Sequence, residues 1–155
     1  MKNIRENVFE TNSSSVHSLV IVTKEQFEAL KNCDFLLEYK NLIPVEQAYK
    51  KTMERLERLE EKMSESYKTT YKTEFTLDVF KETLKKFDCY NLTYDERHYA
   101  YSHTIDTHRN AILAALPEDY DTYESYGGDM YETFCKDYTS KSGDEIVVFG
   151  YYGHD

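Results

Sequence analysis

Tryptophan is absent from this chain of 155 residues, cysteine is scarce, and no apolar run is long. The three cysteines, Cys33, Cys89 and Cys135, are odd in number and far apart, and none belongs to a CxxC pair. This removes the strongest sequence signature of structural zinc and argues against a disulfide framework. No hydrophobic stretch approaches the roughly 20 residues needed to span a bilayer. The opening MKNIRENVFETNSSS interleaves charges with its few apolar residues, so the continuous apolar segment of a secretory signal is missing. The expectation is a cytoplasmic protein.

Positive charge is the other deficit. Nineteen Lys and Arg face twenty-nine Asp and Glu, a formal net charge of −10. Proteins that bind nucleic acid gain much of their affinity by neutralising phosphates, so DNA, RNA and anionic lipid are poor partners for this chain. A basic protein surface, such as the groove of a nuclease or polymerase, would attract it. The bland use of such a charge balance is solubility.

What the chain does have is tyrosine: fifteen, with eight phenylalanines. A tyrosine has an apolar ring and a hydroxyl that needs a partner, which suits half-buried surfaces and interfaces. At 40% hydrophobic and 31% charged residues the composition is globular. The length fits a single domain, 1–155, with a core large enough to need no disulfide.

Hydrophobic periodicity places helices in the middle and strands at both ends. Val16 to Thr23 (VHSLVIVT) predicts a strand, and Thr23 a cap for a short helix with Phe27 and Leu30 on one face. Asp34 to Tyr39 (DFLLEY) reads as a second short strand. From Pro44, a good first helical residue, Tyr49, Thr52, Leu56, Leu59 and Met63 recur at three- and four-residue spacing and predict a long helix to about Ser66. That stripe is close to a heptad seam, although packing against a sheet is the simpler use. Tyr67 to Glu74 reads as a polar connector. Thr76 then caps a helix with the stripe Leu77, Phe80, Leu84 and Phe87. Cys89 to Thr107 is less regular, and His108 to Leu116 is helical up to Pro117. Gly127-Gly128 mark a turn. Tyr131 to Thr139 and Glu145 to Tyr152 form a hairpin around SKSGD. The fold class expected is α+β: a small antiparallel sheet made from the N-terminal strand and C-terminal hairpin, with helices packed on it.

Three constellations carry chemistry. The first is Asn12, Ser13, Ser14, Ser15 and His17, a hydroxyl-dense loop running into a strand. Such loops bind anions through backbone N–H groups, or cap their own backbone. A Ser–His nucleophile would use the same residue types, but neither a GxSxG elbow nor an SxxK pattern accompanies them. A structural network tying loop to sheet is the expectation.

This segment also carries a resemblance. Phe9 to Leu19, FETNSSSVHSL, resembles a family of small phage and prophage proteins of Gram-positive bacteria, and the ending Glu145 to Asp155, EIVVFGYYGHD, is similar to that family's carboxyl end. The resemblance is confined to these two ends. It implies a phage origin and, by genre, an anti-defence role of the kind played by inhibitors of CRISPR-Cas9. Cas9 holds nucleic acid in a positively charged channel, which an acidic protein could occupy.

The second constellation is Cys89, His98, His103 and His108, with Asp88, Asp95 and Asp106 nearby. Thiolate and imidazole suit Zn²⁺. Five residues on a helix rotate by about 500°, so the histidines share no helical face, and only an irregular loop through YSHTIDTHR would gather them for a structural zinc. The third is the acidic stretch after Pro117. Glu118, Asp119, Asp121, Glu124 and Asp129 alternate with Tyr120, Tyr123 and Tyr126, whose three-residue spacing lets one helical turn display them together. These residues are the expected partner-binding face.

The functional expectation is a phage-encoded inhibitor of a host defence nuclease, with a Cas9-type enzyme as leading partner, binding a basic surface and blocking nucleic-acid loading without catalysis of its own. The alternative class is a small metal-dependent or Ser/His enzyme acting on a nucleotide or signalling molecule. A virion accessory protein is a third.

Overall fold

The computed structural model describes residues 16–88, 92, 94–127 and 132–152. The described residues form an α+β fold of six helices and two three-stranded antiparallel sheets.

The first sheet is the one the sequence predicts. Strand β1 (Val16–Thr23) pairs with β6 (Glu145–Tyr152), which pairs in turn with β5 (Glu132–Thr139), in the order β1-β6-β5. Side chains alternate across a strand. The register Val20↔Phe149 and Val22↔Val147 therefore gathers four buried apolar residues on one face. A register shift between Val16 and Ser18 starts β1. Nearby, β1 and β6 approach so closely that a Cβ on Gly150 would lie 2.1 Å from the Ser18 carbonyl oxygen, which makes glycine obligatory there.

Helix α1 (Lys24–Lys31) follows β1 directly. The Gln26 amide donates to Thr23 Oγ1 at 3.1 Å and the Thr23 amide donates to Gln26 Oε1 at 3.0 Å, a reciprocal cap. Phe27 and Leu30 face the first sheet and join its core.

A second sheet was not expected. Strand β2 (Phe35–Glu38) forms a tight hairpin with β3 (Asn41–Pro44) and also pairs with β4 (Tyr120–Asp121), giving the order β3-β2-β4. Of this sheet's strands, β2 is the one expected within Asp34 to Tyr39, whereas β3 and β4, of four and two residues, carry no alternation that marks them in sequence. What holds them is burial: Leu36 joins the helical core, while its neighbour Leu37 joins the core of the first sheet.

The long helix expected from Pro44 to Ser66 is two helices. Helix α2 (Val45–Glu57) ends at Arg58, a 3₁₀ turn spans Glu60–Lys62, and α3 (Glu65–Glu74) occupies the stretch read as a polar connector. Two features impose the break. Met63 is extended and forms a bridge with Ile105, and Ser64 restarts the helix by accepting the Tyr67 amide at 3.2 Å. The coiled-coil seam is thereby lost: Thr52 and Leu56 are buried on α2, while Met63 is buried outside any helix.

Helix α4 (Leu77–Leu84) is capped by Thr76 as expected, with Phe80 and Leu84 buried. Part of the irregular stretch is helical, as α5 (Tyr94–Ser102). Helix α6 (His108–Ala115) follows and is buried from Ala111 to Ala115, so it lies at the centre of the helical core. Among the described residues no helix is long and apolar enough to cross a membrane.

Candidate functional site: an acidic cleft between the two sheets

Helix α6 stops before Pro117, and the chain turns through Glu118 and Asp119 with the Tyr120 amide donating to the Pro117 carbonyl at 3.1 Å. It then adds β4 to the second sheet. A compact turn follows, in which the Thr122 amide donates to Ser125 Oγ at 2.9 Å and the Ser125 amide donates to Thr122 Oγ1 at 3.1 Å. Ser125 Oγ also donates to Asp121 Oδ1 at 2.9 Å, which fixes that carboxylate.

This arrangement opens a cleft of about 340 Å³ between the two sheets. Its walls carry Glu118, Asp119 and Asp121; Ser18 and Tyr151 come from the first sheet, Tyr39 and Lys40 from the β2–β3 turn, and Tyr126 and Gly127 from the turn after β4. Three carboxylates thus face a single lysine. Tyr39 is 70% exposed and has a φ of 58°, a left-handed conformation uncommon for a non-glycine residue. Its amide donates to the Asp119 carbonyl at 3.3 Å, tying the hairpin to the acidic loop.

Asp121 is the electrostatic centre. Burial pushes its carboxyl up to about 6; the Ser125 hydrogen bond and the Arg97 guanidinium oppose that rise, and Asp119 adds to it. Tyr126 shares a buried hydrogen bond with Ser18, and burial raises its phenol despite that bond. Gly127 has a φ of 91°, and a Cβ there would meet the Tyr151 ring at 3.0 Å, so glycine is required at the lip of the cleft. Carboxylates held beside tyrosine rings suit a guanidinium or ammonium group, by charge-assisted hydrogen bonds and by cation–π contact.

The acidic stretch expected as a partner face is therefore divided. Glu118, Asp119, Asp121 and Tyr126 are brought together in the cleft. Tyr120 is buried in the helical core, under the Lys51 ammonium at 5.3 Å from the ring centroid. Tyr123 is half-buried edge-on to Phe27 at 5.0 Å and to Phe149 at 5.3 Å. The turn that would show three tyrosines together does not form, because Tyr120 belongs to one core and Tyr123 and Tyr126 to the other. Glu124 is exposed and lies outside this cleft, and Asp129 lies outside the described residues. Sequence reading missed Ser18, Tyr39, Lys40 and Tyr151 as site residues. The short strand expected over Asp34 to Tyr39, which ends at the cleft, was the available signal.

Asn12, Ser13, Ser14, Ser15 and Cys89 lie outside the described residues, as does the side chain of His17. The remaining histidines go separate ways. His98 is exposed on α5. His103, just past α5, stacks on Tyr99 with ring centroids 3.8 Å apart. His108 opens α6, shares a hydrogen bond between Nδ1 and the Tyr67 hydroxyl at 3.0 Å, and lies flat against Phe75. Asp88, Asp95 and Asp106 are exposed. Among the described residues no three His, Cys, Asp or Glu side chains are grouped to hold a metal.

Fold and cleft together define an α+β protein with an acidic, tyrosine-edged recess. No protein-family model matches the chain, and neither a curated protein nor a solved structure matches it.

Proposed function

We propose that this protein is a phage-encoded binding protein that docks onto a basic surface of a host defence nuclease, a Cas9-type enzyme being the leading partner, and blocks nucleic-acid loading there. The observation that carries the reading is the cleft in which Glu118, Asp119 and Asp121 converge beside Tyr39 and Tyr126. A single Lys or Arg from a partner fits this chemistry, and the net charge of −10 would steer a basic surface toward it. The phage origin rests on the terminal motifs and the choice of nuclease on charge.

The test is binding of the purified protein to a Cas9-type nuclease at low and physiological salt, paired with protection of plasmid DNA from cleavage. Binding that weakens with salt, and is lost in Asp119→Lys, supports the reading. Absence of binding at low salt would sink it.

A further inference from the structure

A second cleft, of about 280 Å³, lies between α2, α5 and α6, and its chemistry is opposite to that of the first. Arg55 from α2 and Arg97 from α5 line it, with Tyr101 on one side and Leu113 and Leu116 as an apolar floor. Arg97 is held in place: its Nε donates to the Leu92 carbonyl at 3.3 Å and a terminal nitrogen to the Leu116 carbonyl at 2.9 Å. Among the described residues no carboxylate comes within ion-pair distance of Arg55 or Arg97.

Arg97 is partly withdrawn from water and is answered by backbone carbonyls rather than by a contacting carboxylate, while the half-buried Arg55 shares its recess. Asp121, Glu118 and Asp119 act on Arg97 only from a distance, and burial dominates by lowering its proton affinity. An anionic group entering the recess would supply the contacting counter-charge that the wall does not. Lys62 adds to the positive field, with its ammonium 4.6 Å from the Tyr101 ring centroid.

We infer that this cleft binds a nucleoside monophosphate. The planar forks of Arg55 and Arg97 match the oxygens of a phosphate monoester. Tyr101 and the leucine floor take the ring system. Glu118, the one carboxylate on the wall, accepts a hydrogen bond from a sugar hydroxyl or a base amine. The volume is at the lower end of small-molecule sites, which excludes dinucleotides and longer polyphosphates. The site shares Glu118 with the acidic cleft, but its cationic and aromatic residues lie outside that cleft, so Arg55→Gln and Tyr101→Ala test it separately from partner docking.

Calorimetric titration of the full chain with adenosine and guanosine monophosphates tests the inference, with inorganic phosphate and benzoate as comparison probes. Saturable binding of at least one nucleotide, weakened tenfold or more in Arg55→Gln and also weakened in Tyr101→Ala, is the expected result. Both residues are partly exposed or exposed, and circular dichroism would verify that the variants keep their fold. Failure of either nucleotide to bind at millimolar concentration would overturn it. So would equal affinity for inorganic phosphate or benzoate, or an unchanged affinity in folded Arg55→Gln.

Discussion

Leu36 and Leu37 are adjacent, both are 0% exposed, and they point into different cores. The four-residue strand β2 is thus a partition, with the core of helices α2 to α6 on one side and that of the first sheet and α1 on the other. Truncating either leucine to alanine leaves a cavity, and each should lose about 2–5 kcal/mol of stability. Because the two cores share one backbone, both variants should shift a single unfolding transition in urea. Two separated transitions by circular dichroism and tyrosine fluorescence would show that β2 does not couple them.

Asp121 predicts a pH dependence of both stability and binding. Its folded value of about 6 lies above the usual 3.8, so the folded state holds the proton more tightly than the unfolded one. Stability from this group is therefore greatest below about pH 4 and is lost as pH rises through 6, a loss on the order of 2–3 kcal/mol. Asp121→Asn should flatten the profile between pH 4 and 7 while still accepting the Ser125 hydrogen bond. Binding of a basic partner should move the other way and tighten from pH 5 to 7 as the cleft gains a charge. Parallel melting and binding titrations check both signs, and a profile unchanged by the substitution would contradict the assignment.

Which elements were legible in the sequence follows from their length and their caps. The β1-β6-β5 sheet and the helices begun by Thr23, Thr76 and Thr107 each carry a periodic run or a capping side chain, and they stand where expected. The second sheet was hidden because β4 has two residues and its existence depends on burial of Leu37 and Tyr120, a tertiary effect. The acidic residues of the cleft were visible as a charge run. Their grouping was not, since Tyr39 and Lys40 arrive from eighty residues away in the chain and Ser18 and Tyr151 from opposite ends of it.

The break between α2 and α3 makes a further prediction. The stripe Leu56, Leu59, Met63 mimics a continuous helix, but Ser64 has an extended backbone and caps α3 through the Tyr67 amide. Tyr67 and Tyr71, one turn apart, then stack at 6.0 Å inside the helical core. Ser64→Ala removes the cap and should cost about 0.5–2 kcal/mol, whereas Ser64→Asp should retain most of the stability. If the alanine and aspartate variants melted together, the cap would not be what divides the helices.

Ser18 of β1 and Tyr126 of the turn after β4 meet in the lining of the cleft. Both are buried, at 5% and 7% exposure, and their hydroxyls are hydrogen-bonded across 108 residues of sequence. Tyr126→Phe keeps the ring against Phe149 and Tyr151 but leaves the Ser18 hydroxyl unsatisfied, which should cost about 1–3 kcal/mol. Ser18→Ala should cost a similar amount for the converse reason. The double variant removes both polar groups, so its loss should be clearly smaller than the sum of the two, with a coupling of about 0.5–3 kcal/mol. Partner binding should weaken in each single variant, because the bond ties together two residues that line the cleft with Asp121. Additive losses in urea unfolding would mean that the hydroxyls do not interact in solution, and the cleft would then need another source of rigidity.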